Sequence, residues 1–255
     1  MIKNKKNDIV RYNMERLQKK IASVGYCSRR KAEELIAKGL VEVNGEIVTK
    51  LGTTVKPGDV ISVEGNILDN SKSYEYYLIN KPKGYVTTTS DDKNRNTVID
   101  LIDTSSRIYP VGRLDYDVAG ALILTNDGEL ANLLMSPKSE VDKKYIVKVK
   151  GMVTIGDIQK LRKGVVIDGI MTKKAKVKLK SVDKKKETSI VEITIHEGKN
   201  HQVKKMFEVL GYKVTKLRRE EYAFLNLKGL LPGEYRSLSI KEVKILYSLC
   251  KKTNR

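Results

Sequence analysis

The sequence has no tryptophan, two histidines and two cysteines among its 255 residues. Cys27 and Cys250 lie near opposite ends of the chain, and we expect two reduced, buried thiols rather than a disulfide. His196 and His201 belong to no Cys/His cluster with the spacing of metal ligands. The scarcity of both residue types argues against a disulfide framework and against a protein-held metal ion.

Long apolar runs are also missing, and no segment approaches the length of a membrane-spanning helix. Residues 1–6 are polar and basic, with no apolar segment behind them, unlike a signal peptide. We find no amphipathic helix with a bulky apolar face and no lipidation motif, so a basic protein of the membrane surface lacks support. We therefore expect a soluble, cytoplasmic protein with no membrane contact.

Acidic residues are few relative to basic ones: 31 Asp and Glu stand against 50 Lys and Arg, a formal charge of +19. The excess is spread along the chain and is not confined to a tail. Such a charge indicates a polyanionic partner, and nucleic acid is the commonest one. Hydrophobic residues make up 40% of the chain, enough to bury a sizeable core.

The N-terminal part predicts a flexible basic tail, 1–12, and then a compact small domain, 13–64. Apolar residues at helical spacing begin a first helix near Leu17. Ser28 is expected to cap a second helix, which Gly39 ends. Two helices followed by short strands therefore form the small domain.

The short strands are separated by strong turn signals. Asn44-Gly45 predicts a tight hairpin, and residues 55–63 predict a strand with a turn at 57–59. The polar segment 65–75 is typical of a linker.

Three cations, Arg29, Arg30 and Lys31, occupy the first turn of the second predicted helix. Positive charge at a helix start is mildly unfavourable. A phosphate docked there would reverse the sign, because backbone amides and side chains would both face it. The pattern indicates RNA binding, with a solvated basic face as the alternative.

Residues 76–255 predict a larger domain in which many strands are joined by short turns, with a few helices between them. This pattern is typical of an α+β domain on a mixed, mainly antiparallel sheet. Strands are predicted at 76–79, 121–124, 144–149, 174–180 and 190–195. Helices are predicted at 98–101, after an Asp127 cap, around Ile155 to Leu161, after an Asn200 cap, and after a capping box at 239–242.

The loop 112–117 places an acid, Asp115, beside a glycine and an arginine, just before an apolar run that predicts a buried strand. A carboxylate held in this way suits covalent or general-acid chemistry on a nucleic acid sugar. Asp115 could equally be a turn acid paired with Arg113, since structural ion pairs imitate sites. Asp117 and Asp127 are weaker candidates.

Two further segments could contribute to a site. Tyr145 lies in a predicted strand, where core packing is the ordinary role of a tyrosine. In the stretch 196–206, Gly198 and Asn200 lie where a strand turns into a helix, with cations in the first turn. That arrangement suits an anion, and a basic surface helix is the alternative.

Taken together and in order, these motifs resemble the RsuA/RluB family of ribosomal RNA pseudouridine synthases. The small domain resembles the alpha-L RNA-binding motif, found also in small-subunit ribosomal protein four and in bacterial tyrosyl-tRNA synthetases. The resemblance covers nearly the whole chain. It rests on 16–17, 28–32, 36–41, 43–45, 80–85, 110–117, 124–130, 144–145 and 195–206.

The resemblance implies an enzyme that isomerises uridine to pseudouridine, with Asp115 as the residue that attacks the target nucleotide. It implies that Tyr145 packs on the uracil, that Lys204 pairs with the aspartate, and that Arg113 fills the space of the flipped base. An isomerisation needs no redox cofactor and no energy source, so no cofactor is expected. Whether the carboxylate attacks the anomeric carbon or removes a neighbouring ribose proton stays open.

The expected partner is ribosomal RNA, naked or in a partly assembled subunit, bound by a monomer without an obligate protein partner. The residues expected to contact it are Arg29, Arg30, Lys31, Lys81, Lys83, Arg113, Lys199, Asn200 and Lys205. The loop 112–117 is most similar to the RluB branch, which modifies large-subunit RNA near the peptidyl-transferase centre. The alternatives are a small-subunit RNA synthase and a non-catalytic ribosome assembly factor.

The chain departs from the family pattern in its cations. Lys199, His201, Lys204 and Lys205 stand where most members have arginine. Lysine keeps the charge but loses the bidentate fork of arginine. The departure leaves open how closely Lys204 reproduces an arginine–aspartate geometry.

Overall fold

The computed structural model describes residues 14–69 and 73–252, and the predicted tail, 1–12, lies outside them. The chain divides into two compact units, residues 1–73 and 74–255. No helix in the described ranges is long and apolar enough to cross a membrane.

Within residues 14–69, the small unit contains two helices and six short strands. In chain order these are β1 (Glu15–Arg16), α1 (Leu17–Ser23), α2 (Arg29–Ala37), β2 (Val41–Val43), β3 (Glu46–Ile47), β4 (Thr54–Val55), β5 (Ile61–Val63) and β6 (Asn66–Ile67). One core lies between helices and strands, formed by Leu17, Ile21, Ala32, Leu35, Ile36, Val41, Val55, Ile61 and Val63.

The turn chemistry of the small unit follows the sequence. The Ser28 hydroxyl accepts a hydrogen bond from Lys31 N and caps α2. Asn44-Gly45 turns the chain from β2 into β3, with both residues at positive φ. The sheet has the strand order β3-β2-β5-β6. The predicted capping and hairpin are confirmed.

Two expectations for this unit need correction. The predicted strand at 55–63 is two strands, because Asp59 Oδ2 accepts from Lys56 N and closes a turn between them; β4 pairs with β1, whereas β5 pairs with β2. The segment 65–75 is not all linker, since β6 pairs with β5.

The expectation of two buried thiols is wrong for Cys27, which is partly exposed, and is confirmed for Cys250 of the large unit, which is buried.

The large unit contains eleven strands and four helices in the described residues. They are β7 (Tyr76–Lys81), β8 (Tyr109–Pro110), β9 (Ala119–Thr125), α3 (Gly128–Met135), β10 (Lys143–Lys150), α4 (Ile155–Lys163), β11 (Val166–Ile167), β12 (Ile170–Met171), β13 (Lys176–Asp183), β14 (Thr188–Ile195), α5 (Gln202–Glu208), β15 (Lys213–Tyr222), β16 (Leu225–Asn226), β17 (Tyr235–Ser237) and α6 (Ile240–Lys252).

The main sheet has nine strands, with the central order β13-β14-β10-β15-β9-β7-β17. Its pairs are antiparallel except β15 with β9, which run parallel. The two strands approach so closely that a Cβ on Gly120 would lie 2.1 Å from the carbonyl oxygen of Arg219, so only glycine fits there. The α+β fold on a mainly antiparallel mixed sheet is confirmed.

The sheet is buried on both faces at β7 and β9, whereas β13 buries only one face. Along β9, Leu122 and Leu124 belong to the core that includes α4 and α5, whereas Ala121 and Ile123 belong to the core under α3 and α6. Alternate side chains of a strand point to opposite faces. The central strand β9 is therefore covered on both sides. This fixes the position at which the preceding loop, residues 111–118, enters the strand.

Candidate active site

The loop between β8 and β9, residues 111–118, is held by a buried lysine. Lys81 is 0% exposed, and its ammonium donates to the carbonyl oxygens of Pro82 (3.1 Å), Asp115 (3.1 Å) and Val118 (2.9 Å). Burial lowers the pKa of Lys81 to about 8, against the opposing attraction of Asp115 and Asp117. The expectation that Lys81 contacts RNA is therefore wrong, because the side chain is enclosed and fixes the loop instead.

A second set of bonds fixes the other side of this loop. The Thr87 hydroxyl donates to the carbonyl of Leu114 at 2.6 Å. Gly84 N donates to the carbonyl of Tyr116 at 2.9 Å. The backbone on both sides of Asp115 is thus fixed before any substrate binds, which preorganises the carboxylate.

The carboxylate of Asp115 meets two donors from the start of α5. His201 Nδ1 lies 2.9 Å and Lys204 Nζ lies 3.1 Å from the same oxygen, Oδ2. Lys204 Nζ also lies 2.7 Å from Asp117 Oδ1. No hydrogen bond reaches Oδ1 of Asp115 from any residue in the described ranges, and the side chain is 30% exposed. Oδ2 of Asp115 therefore has two donors within reach, whereas Oδ1 has no hydrogen-bond partner among the described residues.

The ionisation of this cluster follows from its contacts. The hydrogen bond from Lys204 lowers the pKa of Asp117, against the opposing effect of burial. Burial disfavours the charged form of Lys204, yet its bonds to Asp117 and Asp115 leave the pKa raised. Lys204 therefore stays protonated at neutral pH and presents a cation to the carboxylate of Asp115.

The start of α5 differs from the sequence expectation. His201, not Asn200, is the N-cap residue; it lies in the left-handed region at φ 52° and makes no side-chain cap. The Lys199 amide is instead satisfied by Gln202 Oε1 at 2.9 Å. Because the imidazole is not used as a cap, it is available to the Asp115 carboxylate.

The carboxylate opens into a pocket of about 360 Å³. Tyr145 from β10 forms part of its wall, and its side chain is 8% exposed. The apolar and aromatic part of the lining consists of Val111, Leu114, Val118, Met135, Pro137, Tyr145, Ile195, Val203, Leu217 and Tyr222. The pocket thus offers an aromatic and apolar surface beside a carboxylate.

Two cations of the pocket were missed by sequence reasoning. Arg219 is opposite Tyr145 in the register of β15 and β10 and is 2% exposed. Lys143 lines the same pocket two residues before Tyr145. A signal for Arg219 was present, since alternation along β15 places it on the same buried side as Leu217.

The other predicted RNA contacts lie at different places. Arg113 is exposed at the pocket, and no ion pair joins it to Asp115 among the described residues. Lys83 and Asn200 are exposed. Lys205 is tied to Asp168, and Lys199 Nζ donates to the carbonyl of Met171 at 3.2 Å. The site therefore unites Asp115, Tyr145 and Lys204 as expected, with Arg113 at its rim.

The first turn of α2 belongs to the small unit. Arg29, Arg30 and Lys31 are exposed there, and the turn contains no acidic residue. Lys31 pairs with Glu34 at 3.3 Å. Groups of three or more Asp, Glu, His or Cys side chains that could hold a metal ion are absent from the described ranges.

Comparison with known proteins gives two family matches. The model of a family described as RNA pseudouridylate synthase matches residues 75–209, and the S4 domain matches residues 15–61. These ranges contain the pocket residues up to α5 and the basic first turn of α2, respectively.

Individual relatives extend the similarity over most of the chain. The chain is 53% identical to the ribosomal large subunit pseudouridine synthase B of Bacillus subtilis (strain 168), over 92% of this chain and 97% of that one. It is 39% identical to the dual-specificity RNA pseudouridine synthase RluF of Escherichia coli (strain K12), over 92% of this chain and 79% of that one. A crystal structure of a pseudouridylate synthase superposes with a TM-score of 0.65 at 33% identity, over 91% of this chain and 99% of that chain.

Proposed function

Because the chain belongs to the RNA pseudouridylate synthase family, we propose that it isomerises one uridine of large-subunit ribosomal RNA to pseudouridine. The observation that carries the proposal is the state of Asp115, which lines the pocket: one carboxylate oxygen is held by two donors, and the other has no hydrogen-bond partner among the described residues. The 53% identity to a large subunit synthase supports the choice of RNA.

We assign a separate role to each side chain. Asp115 Oδ1, which bears no donor, is the oxygen that attacks the ribose, at the anomeric carbon or at the neighbouring proton. Lys204 holds Oδ2 at 3.1 Å and places a positive charge beside the carboxylate. Tyr145 offers its ring face to the uracil, which must leave its stack before it can be reached.

The exposed cations would handle the rest of the RNA. Arg113, at the mouth of the pocket, can occupy the space that the flipped base leaves. Arg29, Arg30 and Lys31 occupy a first helical turn that contains no acidic residue, which supports phosphate binding by the small unit. Lys83, Lys199, Asn200 and Lys205 remain candidate contacts of the large unit.

All pocket residues come from one unit of one chain. This supports a monomer as the active form, acting on ribosomal RNA in the cytoplasm. Neither a second copy nor a protein partner is needed to complete the carboxylate, the tyrosine and the lysine.

The test is a map of pseudouridines in ribosomal RNA from cells with and without this gene. We expect one site to disappear from large-subunit RNA and to return with the wild-type gene but not with Asp115→Asn, which removes the anionic nucleophile. Asp183→Asn is the matched control and should restore the site. Asp183 lies at the end of β13, where its Oδ1 accepts from Lys186 N in the turn to β14. A site lost from small-subunit RNA would move the substrate to the other subunit. No lost site would favour a non-catalytic assembly factor.

A further inference from the structure

Two cations share the wall of the pocket opposite the aspartate loop. Arg219 Cζ lies 5.1 Å and Lys143 Nζ lies 5.5 Å from the centroid of the Tyr222 ring. Arg219 Cζ lies 6.0 Å from the centroid of the Tyr145 ring. The two positive charges therefore flank the aromatic surface on which a base would stack.

Neither cation has an anionic partner. Arg219 donates through Nε to the carbonyl of Ala121 at 2.6 Å and through Nη1 to the Tyr145 hydroxyl at 3.4 Å. Lys143 Nζ donates to the carbonyl of Val141 at 3.2 Å. Within the described ranges, neither forms an ion pair with a carboxylate, and Arg219 Nη2 is buried without any hydrogen-bond partner.

A buried guanidinium nitrogen without a partner is costly to keep. Burial also disfavours the charged form of Lys143. It lowers the pKa of Lys143 to about 8, with a smaller contribution from the charge of Arg219, whereas the charge of Asp142 raises that pKa. The groups that face Lys143 are Arg219 and Tyr222 from β15, Asp142 immediately before its own strand, and the uncharged Ile195 from β14. The arrangement is that of a site prepared for an anion.

The reaction produces such an anion inside this pocket. When the bond from C1′ to N1 breaks, its electron pair stays on N1. Asp115 meanwhile either forms a bond to C1′ or takes the proton from C2′, whose electrons then form a C1′–C2′ double bond. In both cases the uracil is released as an anion, with its charge shared between N1, O2 and O4. Later C5 bonds to C1′. In the first route the bond from Asp115 to C1′ breaks and its electron pair returns to the carboxylate; in the second route Asp115 gives the proton back to C2′ as the double bond is used. C5 then loses its proton, and N1 gains one.

We propose that Lys143 and Arg219 hold the detached uracil anion while it turns from N1 to C5. Arg219 Nη2 and Lys143 Nζ donate to the oxygen atoms of the base, and Tyr145 and Tyr222 bound the space in which it rotates. The inference rests on the proposed function and adds two catalytic residues to it. Charges that are in place before the anion forms lower the barrier without reorganisation.

The test compares the full-length wild type with Lys143→Met and Lys143→Arg on large-subunit ribosomal RNA from cells that lack the gene. Lys144→Met is the matched control, since the neighbouring lysine pairs with Glu221 at 2.8 Å and does not line the pocket. We expect Lys143→Met to lower the single-turnover rate at saturating RNA by about 100-fold, with RNA affinity unchanged. Lys144→Met should behave as the wild type.

The pH dependence separates charge from structure. Lys143 is protonated below its pKa of about 8, so the ratio of kcat/KM between wild type and Lys143→Met should be large below that pH and shrink above it. Lys81 also has a pKa near 8, but it is present in both proteins and cancels from the ratio. The ratio between Lys143→Arg and Lys143→Met should stay constant, since arginine keeps its charge.

Three outcomes would overturn the inference. The first is a Lys143→Met enzyme that reacts at the wild-type rate, and the second is a ratio independent of pH, which would indicate packing alone. The third is weaker RNA binding with an unchanged rate at saturation, which would place a backbone phosphate on Lys143. If the wild type itself forms no pseudouridine, the proposed function fails instead.

Discussion

The starts of α2 and α5 both carry cations, and the two starts are built differently. At α2 the first turn carries Arg29, Arg30 and Lys31, all exposed, behind an ordinary Ser28 cap. At α5 the cations Lys204 and Lys205 are tied to carboxylates, behind a left-handed cap residue that makes no cap bond. Under the proposed function, cations at a helix start serve RNA capture in one unit and the positioning of a reacting group in the other.

The difference lies in what faces each helix start. Exposed cations are screened by salt and act over a distance, which suits the capture of a phosphate backbone. Cations bound to a half-buried carboxylate have fixed positions and act on one atom. Variants at the two helix starts should therefore separate affinity from rate.

The largest effect is expected at α5. Lys204→Met leaves Asp115 without its cation, and we expect the rate at saturating RNA to fall by about 100-fold or more, with a small change in affinity. Lys204→Arg keeps the charge and should retain much of the rate. Single-turnover assays measure both, and equal loss in the two variants would indicate that lysine geometry, not charge, is required.

At α2 we expect an effect on affinity instead. Replacing Arg29, Arg30 and Lys31 by glutamine should weaken RNA binding by about 10-fold and reduce the salt slope by about 2 to 3. The rate at saturating RNA should stay unchanged. The matched control replaces Lys184, Lys185 and Lys186, an exposed turn with the same charge, and equal weakening there would show a general charge effect.

His201 tests whether the unusual start of α5 serves the site. His201→Gly relieves the left-handed backbone at φ 52° and should stabilise the protein by about 1 kcal/mol. It also removes one donor from Asp115 and should slow the reaction by a smaller factor than Lys204→Met. Urea unfolding measures the change in stability, and single-turnover assays measure the change in reaction rate. A loss of both stability and rate would contradict a strain retained for function.

Ser28 is the counterpart in α2, where the cap serves stability. Ser28→Ala removes the bond to Lys31 N and should destabilise the helix by about 1 kcal/mol. Hydrogen exchange of the α2 amides should report the loss, with Ser28→Asp as a variant that retains a cap. Unchanged exchange in Ser28→Ala would show that packing alone holds α2.

Local chemistry made much of the structure predictable. The Asn44-Gly45 hairpin, the Ser28 cap and the Asp127 cap formed as expected, because turn and cap preferences depend on a few neighbouring residues. Asp127 Oδ1 accepts from Glu129 N and Leu130 N. The alternation of apolar residues likewise indicated the antiparallel sheet.

What could not be predicted depends on distant parts of the chain. Lys81 resembled a loop lysine that could reach RNA, yet carbonyls of Asp115 and Val118, more than thirty positions away, enclose it. Arg219 lies in a charged segment of the sequence, 218–221. Its strand packs on Gly120, however, and its side chain lines the pocket. Asn200 satisfied the preference for a cap, while the contact of His201 with Asp115 determined the actual helix start.

The most direct test of the account measures RNA affinity and single-turnover rate for Asp115→Asn and for the triple α2 variant in one assay. The account predicts that Asp115→Asn forms no pseudouridine but binds RNA like the wild type, while the α2 variant binds weakly and reacts at the wild-type rate when saturated. Product formation by Asp115→Asn would contradict the assignment of Asp115 as the reacting carboxylate.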